Sequence, residues 1–390
     1  MKHAVLALTA LVSTTGSAYA VALDRSGQRI NALFETGNHV ELTFGYTTPT
    51  VSGDTLAAFG GAATGNVADD FLIFSGAIKV DLNDKWSFAL IGDEPFGSDI
   101  LYDGDPAFTI LGGTGAIVDS FALTALARYK FNDRISVHGG LRYQEVQATV
   151  TTAGFAFNGG LPPGTQEGVN GYRGEFQADG DIGYVIGASY EIPDIALRVS
   201  LTYNSSTTHD LPTVETLRGL PASLVSGGLL ADESITEVAT PESLNLAFQT
   251  GIAADTLLFG SVRYARYSLT DVSSALFSGV LTGSPLTDLE DGFDVEIGVG
   301  RRFSEKWSGQ VSIGFSTVGD DNIISPLGPN NGSQFVSIGG RYNVTESFAI
   351  SGGVRYTVLG DAFSAPGGNP VATFEDNSAI SAGLRFAYKF

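Results

Sequence analysis

Counting back from the end of the chain, Phe390, Tyr388, Phe386, Leu384 and Ala382 occupy every second position. Lys389, Arg385, Gly383 and Ser381 occupy the positions between. In a β-strand this spacing sends the two sets to opposite faces. Such a strand needs an apolar medium on one side and a polar interior on the other, which is the situation of a strand in a membrane barrel wall. The pattern recurs upstream. Ile135, Val137, Leu141 and Tyr143 alternate with Ser136, His138, Arg142 and Gln144; Val199, Leu201 and Tyr203 with Arg198, Ser200, Thr202 and Asn204; Phe293, Val295, Ile297 and Val299 with Asp294, Glu296 and Arg302. A terminal aromatic on such a strand resembles the signal read by the outer-membrane assembly machinery, which makes that machinery an expected partner.

The connections are sorted by length. Short turns fall at 83–85, 132–134, 193–194, 254–255, 304–306 and 345–347, each with turn-forming residues between alternating runs. Long connections rich in Gly, Pro, Asp and Asn fall at about 51–70, 94–115, 153–173, 209–240, 271–291, 319–333 and 361–376. Six short turns and seven long loops join 14 strands, so the expected fold is all-β: a 14-stranded antiparallel transmembrane β-barrel with the short turns on one rim. Trp86, Tyr129, Phe131, Phe303, Trp307 and Tyr388 lie beside the short turns and are candidates for an aromatic girdle at that rim.

The first 20 residues read as a secretory signal peptide: Lys2 and His3, an apolar run from Ala4 to Val12, and a cleavage site at Ala18, Tyr19 and Ala20. That run is too short to span a bilayer as a helix, and nothing later is apolar for 18 residues. Residues 21–38 then form a short N-terminal hatch segment ahead of a barrel at 39–390, placed in the outer membrane of a Gram-negative bacterium. The net charge is −21, and the seven long connections hold 22 Asp and Glu against two Arg. The acidity therefore sits in the loops. It argues against nucleic-acid binding and suits a surface set among divalent cations and lipopolysaccharide. The chain has no Cys; no cofactor or metal motif is present, and His39, His138 and His209, at the first strand, in the lumen and in an outer loop, show no spacing that supports a catalytic site.

Three stretches resemble the long-chain fatty acid and hydrocarbon transporter family of the outer membrane (FadL/TodX). They are Pro95, Phe96 and Gly97 followed by Tyr102; Gly187 to Asp194 with Leu197, Arg198, Val199 and Tyr203; and Pro241 to Gly251 with Leu258 to Tyr264. The resemblance implies a monomeric, non-enzymatic barrel that passes a long-chain fatty acid or neutral hydrophobic ligand. It also implies a plug formed by the hatch, an apolar catch site among the outer loops, and a sideways exit at a kink in the third strand. Gly92 and Pro95 are the residues able to make that kink, because Gly weakens pairing and Pro lacks the N–H a ladder needs. Family members usually have a longer hatch with an Asn-Pro-Ala motif. Here the segment is 18 residues and that position reads Asn38, His39, Val40, so a less complete plug is expected.

The fourth loop fits a catch site best, with Leu217, Leu220, Leu224, Val225, Leu229 and Leu230 forming a run unusually apolar for a loop. Phe155, Phe157 and Leu161 add to it from the third loop, and Leu33 and Phe34 are the hatch residues most able to touch a ligand. Arg142, Arg263 and Arg355 sit seven or eight residues past a short turn, facing the lumen at similar height. They would either hold a carboxylate or brace the wall against acids such as Asp181, Asp294 and Glu296. Two rival functions remain at this stage: a diffusion porin for small polar solutes, and an adhesin working through its acidic loops.

Overall fold

The computed structural model describes residues 23–160, 167–317, 319 and 321–390. The signal peptide expected at 1–20 and Leu161 lie outside them. Fourteen antiparallel strands close into a barrel. They are β1 (His39–Thr50), β2 (Phe71–Asp81), β3 (Trp86–Asp93, resuming as Gly97–Leu101), β4 (Gly115–Lys130), β5 (Ile135–Thr152), β6 (Tyr172–Ile192) and β7 (Leu197–Asn204, resuming as Thr208–Leu217), then β8 (Glu233–Ala239, resuming as Ser243–Ala253), β9 (Thr256–Ala265), β10 (Gly292–Arg302), β11 (Trp307–Ser316), β12 (Ser333–Asn343), β13 (Phe348–Leu359) and β14 (Ser378–Lys389). The terminal strand closes the barrel, pairing with β1 from His39↔Lys389 to Thr50↔Ser378. A closed wall leaves no unpaired edge, which is why this architecture can stand in hydrocarbon.

The alternation is realised as expected. Ile135, Val137, Leu141 and Tyr143 are exposed on the outer face of β5, while Ser136, His138, Arg142 and Gln144 are buried inside. The short turns fall where the pattern put them, and the rim they form carries packed aromatic pairs: Trp86 with Tyr129 at 4.8 Å, Tyr129 with Phe131 at 5.1 Å and Trp307 with Tyr342 at 4.7 Å between centroids. Two long connections are shorter than the sequence suggested. Strand β3 resumes after Pro95 instead of ending there, and β7 and β8 continue outward, leaving only residues 218–232 as the fourth loop.

That outward extension inverts the wall. On β5 the same inward face that carries Arg142 and Gln144 carries Val146, Ala148 and Val150 higher up, while Glu145, Gln147 and Thr149 point out. On β6 an extra residue at 177–178 shifts the register against β5, and Phe176 and Tyr172 turn inward. On β7 and β8 the inward positions include Leu211, Leu217 and Val238. Beyond the bilayer, water is outside, so apolar side chains gain by facing the lumen. The barrel therefore has a polar lower lumen and an apolar upper one. Above it, short strands from the first, sixth and seventh loops (Ser52–Thr55, Ala63–Asn66, Ile323–Ile324, Ala362–Ser364 and Ala372–Phe374) form a second small sheet. Its cluster, around Val51, Val67, Tyr102, Leu359 and Phe374, packs against the third loop.

Candidate functional site

The ladder between β2 and β3 breaks beside the hatch, residues 23–38, called the leader below. Strand β2 pairs with β3 only from Gly76↔Gly92 to Asp81↔Ser87, so residues 71–75 keep their ladder to β1 alone. Above the break, Gly97–Leu101 pairs with β4 one residue out of step, with Glu94, Pro95 and Phe96 opposite only Ser120 and Phe121. The extra residue and the N–H missing from Pro95 make the strand bend inward. Phe96 ends up buried, and the Ser120 hydroxyl donates to its carbonyl at 2.6 Å. Gly92 is the last residue of β3 paired with β2, and Pro95 lies in the unpaired stretch that follows. The far side of the break is closed only higher up, where Leu101 N–H donates to Val67 O at 2.8 Å and Asp69 N–H to Asp99 O at 3.1 Å.

The leader docks on this break. Arg25 N–H donates to Pro95 O at 2.8 Å and Gly97 N–H to Leu23 O at 2.9 Å, a two-bond strand extension on the bent segment. The Ser26 hydroxyl donates to Asp93 at 2.5 Å. Asp24, almost fully buried, pairs with Arg263 across the lumen at 2.5 Å, and Arg263 also reaches Gln28 at 3.2 Å, Ser243 at 2.7 Å and Asn245 at 2.9 Å. Further on, Leu33 and Phe34 are buried with Ile30, Ala77, Ala89, Ile91, Leu126 and Val185. The guanidiniums of Arg128 and Arg198 lie 4.8 and 4.7 Å from the Phe34 centroid. Each such contact stabilises the plug by roughly 1–2 kcal/mol when desolvated. These contacts anchor the short hatch in the polar lumen, where a second cavity of about 100 Å³ remains between Arg29 and Ile30 and the wall at Arg198 and Arg263.

Above the leader lies a cavity of about 310 Å³. Its walls include the inverted positions Val146, Ala148, Val150, Phe176, Leu211 and Val238, with Val272 and Leu286 of the fifth loop as a roof. It reaches down to Leu23 and Arg25 and sideways to Phe71, Gly97 and Ser98 at the break. A concave, mostly apolar space with a few polar groups is the usual form of a small-molecule site.

The residues singled out from sequence fall around this cavity rather than in its lining. Leu217 is buried in the cluster that continues the lining, with Val225 packed against it. Leu220, Leu224 and Leu229 are exposed, the last two at 67% and 83%, and Leu230 is half-buried. Phe155 and Phe157 pack on the upper cluster, and Leu33 and Phe34 sit below the leader's anchor. The three lumen arginines are engaged in bracing. Arg142 donates to Thr124 at 2.9 Å, Arg263 holds Asp24, and Arg355 is fully buried, 3.8 Å from Glu296 and 3.8 Å over the Phe335 ring. Of the acids expected to answer them, Glu296 does so. Asp294 accepts from Ser316, and Asp181 takes the Thr208 N–H at 3.0 Å, where β6 and β7 lack a ladder. Asp24, Arg25 and Phe96 were not foreseen. A legible signal for the cavity did exist: the apolar set on β5 changes parity between Tyr143 and Val146.

Thr207, His209 and Asp179 stand in a row, with Thr207 Oγ1 2.9 Å from His209 Nε2 and Asp179 O 3.0 Å from Nδ1. All but Asp179 are buried, Thr207 lines neither cavity, and the three tie β6 to β7 where the ladder lapses. Among the described residues no group of His, Cys, Asp and Glu could hold a metal ion.

A closed 14-stranded barrel, plugged from its own N-terminus and carrying an apolar chamber beside a gap in its wall, defines an outer-membrane channel for hydrophobic molecules as its class. Residues 19–390 match the model of the outer membrane protein transport family (OMPP1/FadL/TodX), and the chain belongs to that family. Its members are outer-membrane β-barrels of Gram-negative bacteria that transport hydrophobic molecules. Similar solved structures share the fold at low identity. A FadL homologue of Pseudomonas aeruginosa is 14% identical with a TM-score of 0.72, 92% of each chain being covered. The toluene transporter TbuX of Ralstonia pickettii is 14% identical with a TM-score of 0.59, over 92% of this chain and 91% of that one. The toluene transporter TodX of Pseudomonas putida is 11% identical with a TM-score of 0.61, over 97% of each. No curated protein sequence matches the chain.

Proposed function

We propose that this barrel is a passive transporter in which a hydrophobic molecule is caught on the apolar fourth loop, held in the upper cavity, and released sideways through the break in β3. The observation that carries this reading is the continuity of the cavity: one apolar space touches the roof loops, the leader and the gap between Phe71 and Gly97. A sideways exit spares the ligand the polar lower lumen, where an apolar molecule would displace hydrogen-bonded water and side chains without replacing their bonds. Leu220, Leu224 and Leu229 supply the exposed apolar surface for capture. The diffusion-porin reading loses ground because the lower lumen is filled by the buried leader residues Asp24, Gln28, Leu33 and Phe34.

The test separates binding from exit. Ala148→Trp, inside the cavity, should abolish both binding of a neutral hydrophobic dye by the purified barrel and its uptake into proteoliposomes. Ser98→Trp, at the gap, should leave binding and reduce uptake severalfold. Uptake that survives both substitutions would refute the route.

A further inference from the structure

The cavity's charge is lopsided. Its wall contains six acids, Asp24, Asp69, Asp99, Asp288, Glu290 and Asp291, and Arg25 is the single cation among the described lining residues. Asp24 is neutralised by Arg263; Arg25 is not matched in this way to an acid. Its guanidinium lies on the Phe71 ring, 4.2 Å from the centroid. It has room there because position 97 is Gly: a Cβ would collide with the Arg25 side chain. Arg25 therefore lies across the gap in the wall, bolted between an aromatic ring of β2 and the bent segment of β3.

Around that bolt stand four carboxylates. Glu94 faces the Phe74 N–H from the break itself. Asp119 is the cross-strand partner of Gly97, Asp99 lies two residues above it, and the Asp69 N–H is bonded to the Asp99 carbonyl. Arg25 feels the fields of Glu94, Asp119 and Asp99, and Asp99 feels those of Asp69 and Asp119. One cation among four acids leaves the opening net negative. Asp69 and Asp99 line the cavity, and Asp69 and Asp119 are exposed at the opening, so an anion entering it gains one attraction and meets several repulsions that salt can weaken. The arginines that could have formed a carboxylate-binding zone, Arg142, Arg263 and Arg355, lie outside the lining of this upper cavity.

We propose that the cavity and its side opening select uncharged hydrophobic molecules over carboxylates, with Asp69, Glu94, Asp99 and Asp119 acting as a charge filter and Arg25 as the bolt that keeps those acids together at the gap. This rests on the transporter reading above. It assigns specificity to a collar of acids, and the ligand class it predicts is neutral: a hydrocarbon, alcohol or ester rather than a fatty-acid anion.

A matched pair of ligands tests it. Dodecanol and dodecanoate share a chain and differ in head-group charge. Each is titrated against the detergent-purified barrel loaded with a neutral naphthylamine dye, at a pH well above the carboxylate range. Dodecanol should displace the dye about tenfold more effectively than dodecanoate, with the difference shrinking at high salt. Asp99→Asn/Asp119→Asn should improve dodecanoate severalfold relative to dodecanol, with folding checked by heat-modifiable gel mobility. Arg25→Gln removes the one attraction an anion meets there, so it should widen the preference for dodecanol. Equal or better displacement by dodecanoate from the parent barrel, or no gain for dodecanoate when Asp99 and Asp119 lose their charge, overturns the filter. If neither molecule displaces the dye, the transporter reading falls and the filter with it, a result distinct from a reversed preference.

Discussion

The contact between Asp24 and Arg263 makes the leader's hold on the lumen measurable. Both side chains are buried, at 3% and 4% exposure, and Arg263 gathers Asp24, Gln28, Ser243 and Asn245 around one guanidinium. Arg263→Ala leaves Asp24 inside a low-dielectric space with the N–H of Gly27, three residues further on, as a remaining donor at 2.9 Å. Removing one partner of a buried ion pair costs about 3–5 kcal/mol, although Asp24 can limit the cost by taking up a proton. At about 1.4 kcal/mol per factor of ten, the ratio of undocked to docked leader should rise by roughly two to three orders of magnitude. Because the barrel wall is held by its own ladders, the loss should appear as leader release rather than unfolding. Planar-bilayer recordings of the parent should show a closed channel with rare openings, and those of Arg263→Ala frequent ones. Asp24→Ala/Arg263→Ala should lie closer to the parent, since removing both partners leaves no stranded charge. A folded Arg263→Ala barrel with the parent's conductance record would refute the assignment of this pair as the leader's anchor.

Other outcomes follow from individual residues. Leu220→Asp/Leu224→Asp/Leu229→Asp, all at exposed positions, should abolish hydrophobe uptake while shifting stability by no more than about 0.5 kcal/mol per site; unchanged uptake would remove the fourth loop from the route. Gly97→Leu should push the Arg25 side chain off Phe71, raising dye exit from preloaded proteoliposomes if Arg25 closes the gap and leaving it unchanged if not. At Asp291, burial raises the carboxyl's pKa, but the Ser268 N–H, at 3.0 Å, the Tyr264 hydroxyl, at 2.9 Å, and nearby Arg266 bring it to a net lowered value. Its stabilising contribution is then present above the unfolded carboxylate range and lost as pH falls through the folded value. Accordingly, Asp291→Asn should lower the thermal midpoint at neutral pH and match the parent in strong acid; an equal deficit at both would break the argument.

The barrel was legible because a membrane wall imposes a binary code: each lipid-facing position on β5, β10 or β14 must be apolar or small, and each neighbour is free to be polar. Turn chemistry at 83–85 or 345–347 then fixed the strand count. The code stops where the bilayer stops. Val146, Ala148 and Val150 read as a strand of the opposite phase, and on sequence alone the region around β7 and β8 looked like one long loop, since Thr208, Asp210 and Glu237 on the outer face carry no membrane signal. The cavity lies in that inverted zone, which is why the apolar run at Leu217 to Leu230 drew attention while Phe176, Leu211 and Val238 did not. The partners of the leader were hidden for a different reason: Asp24 and Arg263 are separated by 239 residues, and no local pattern announces a pairing of that kind.

The leader's two engagements give the gap its physical logic. The bent segment of β3 has lost its ladder to β2 between residues 71 and 75, and the exposed edge needs partners for its N–H and C=O groups. Leu23 and Arg25 supply two of them, at Pro95 and Gly97, so the opening is stable only while the leader lies against it or something else satisfies that edge. The same few residues fill the lumen through Asp24 and face the cavity through Arg25. A ligand settling in the cavity thus rests on the segment that also trims the gap. Any ligand that disturbs Arg25 on Phe71 acts on the exit directly, with no longer chain of contacts required. This predicts that hydrogen exchange at the Gly97 N–H, bonded to Leu23 O, should speed up when a neutral ligand is added. Protection that is unchanged or greater with ligand present would mean that the leader and the exit move independently.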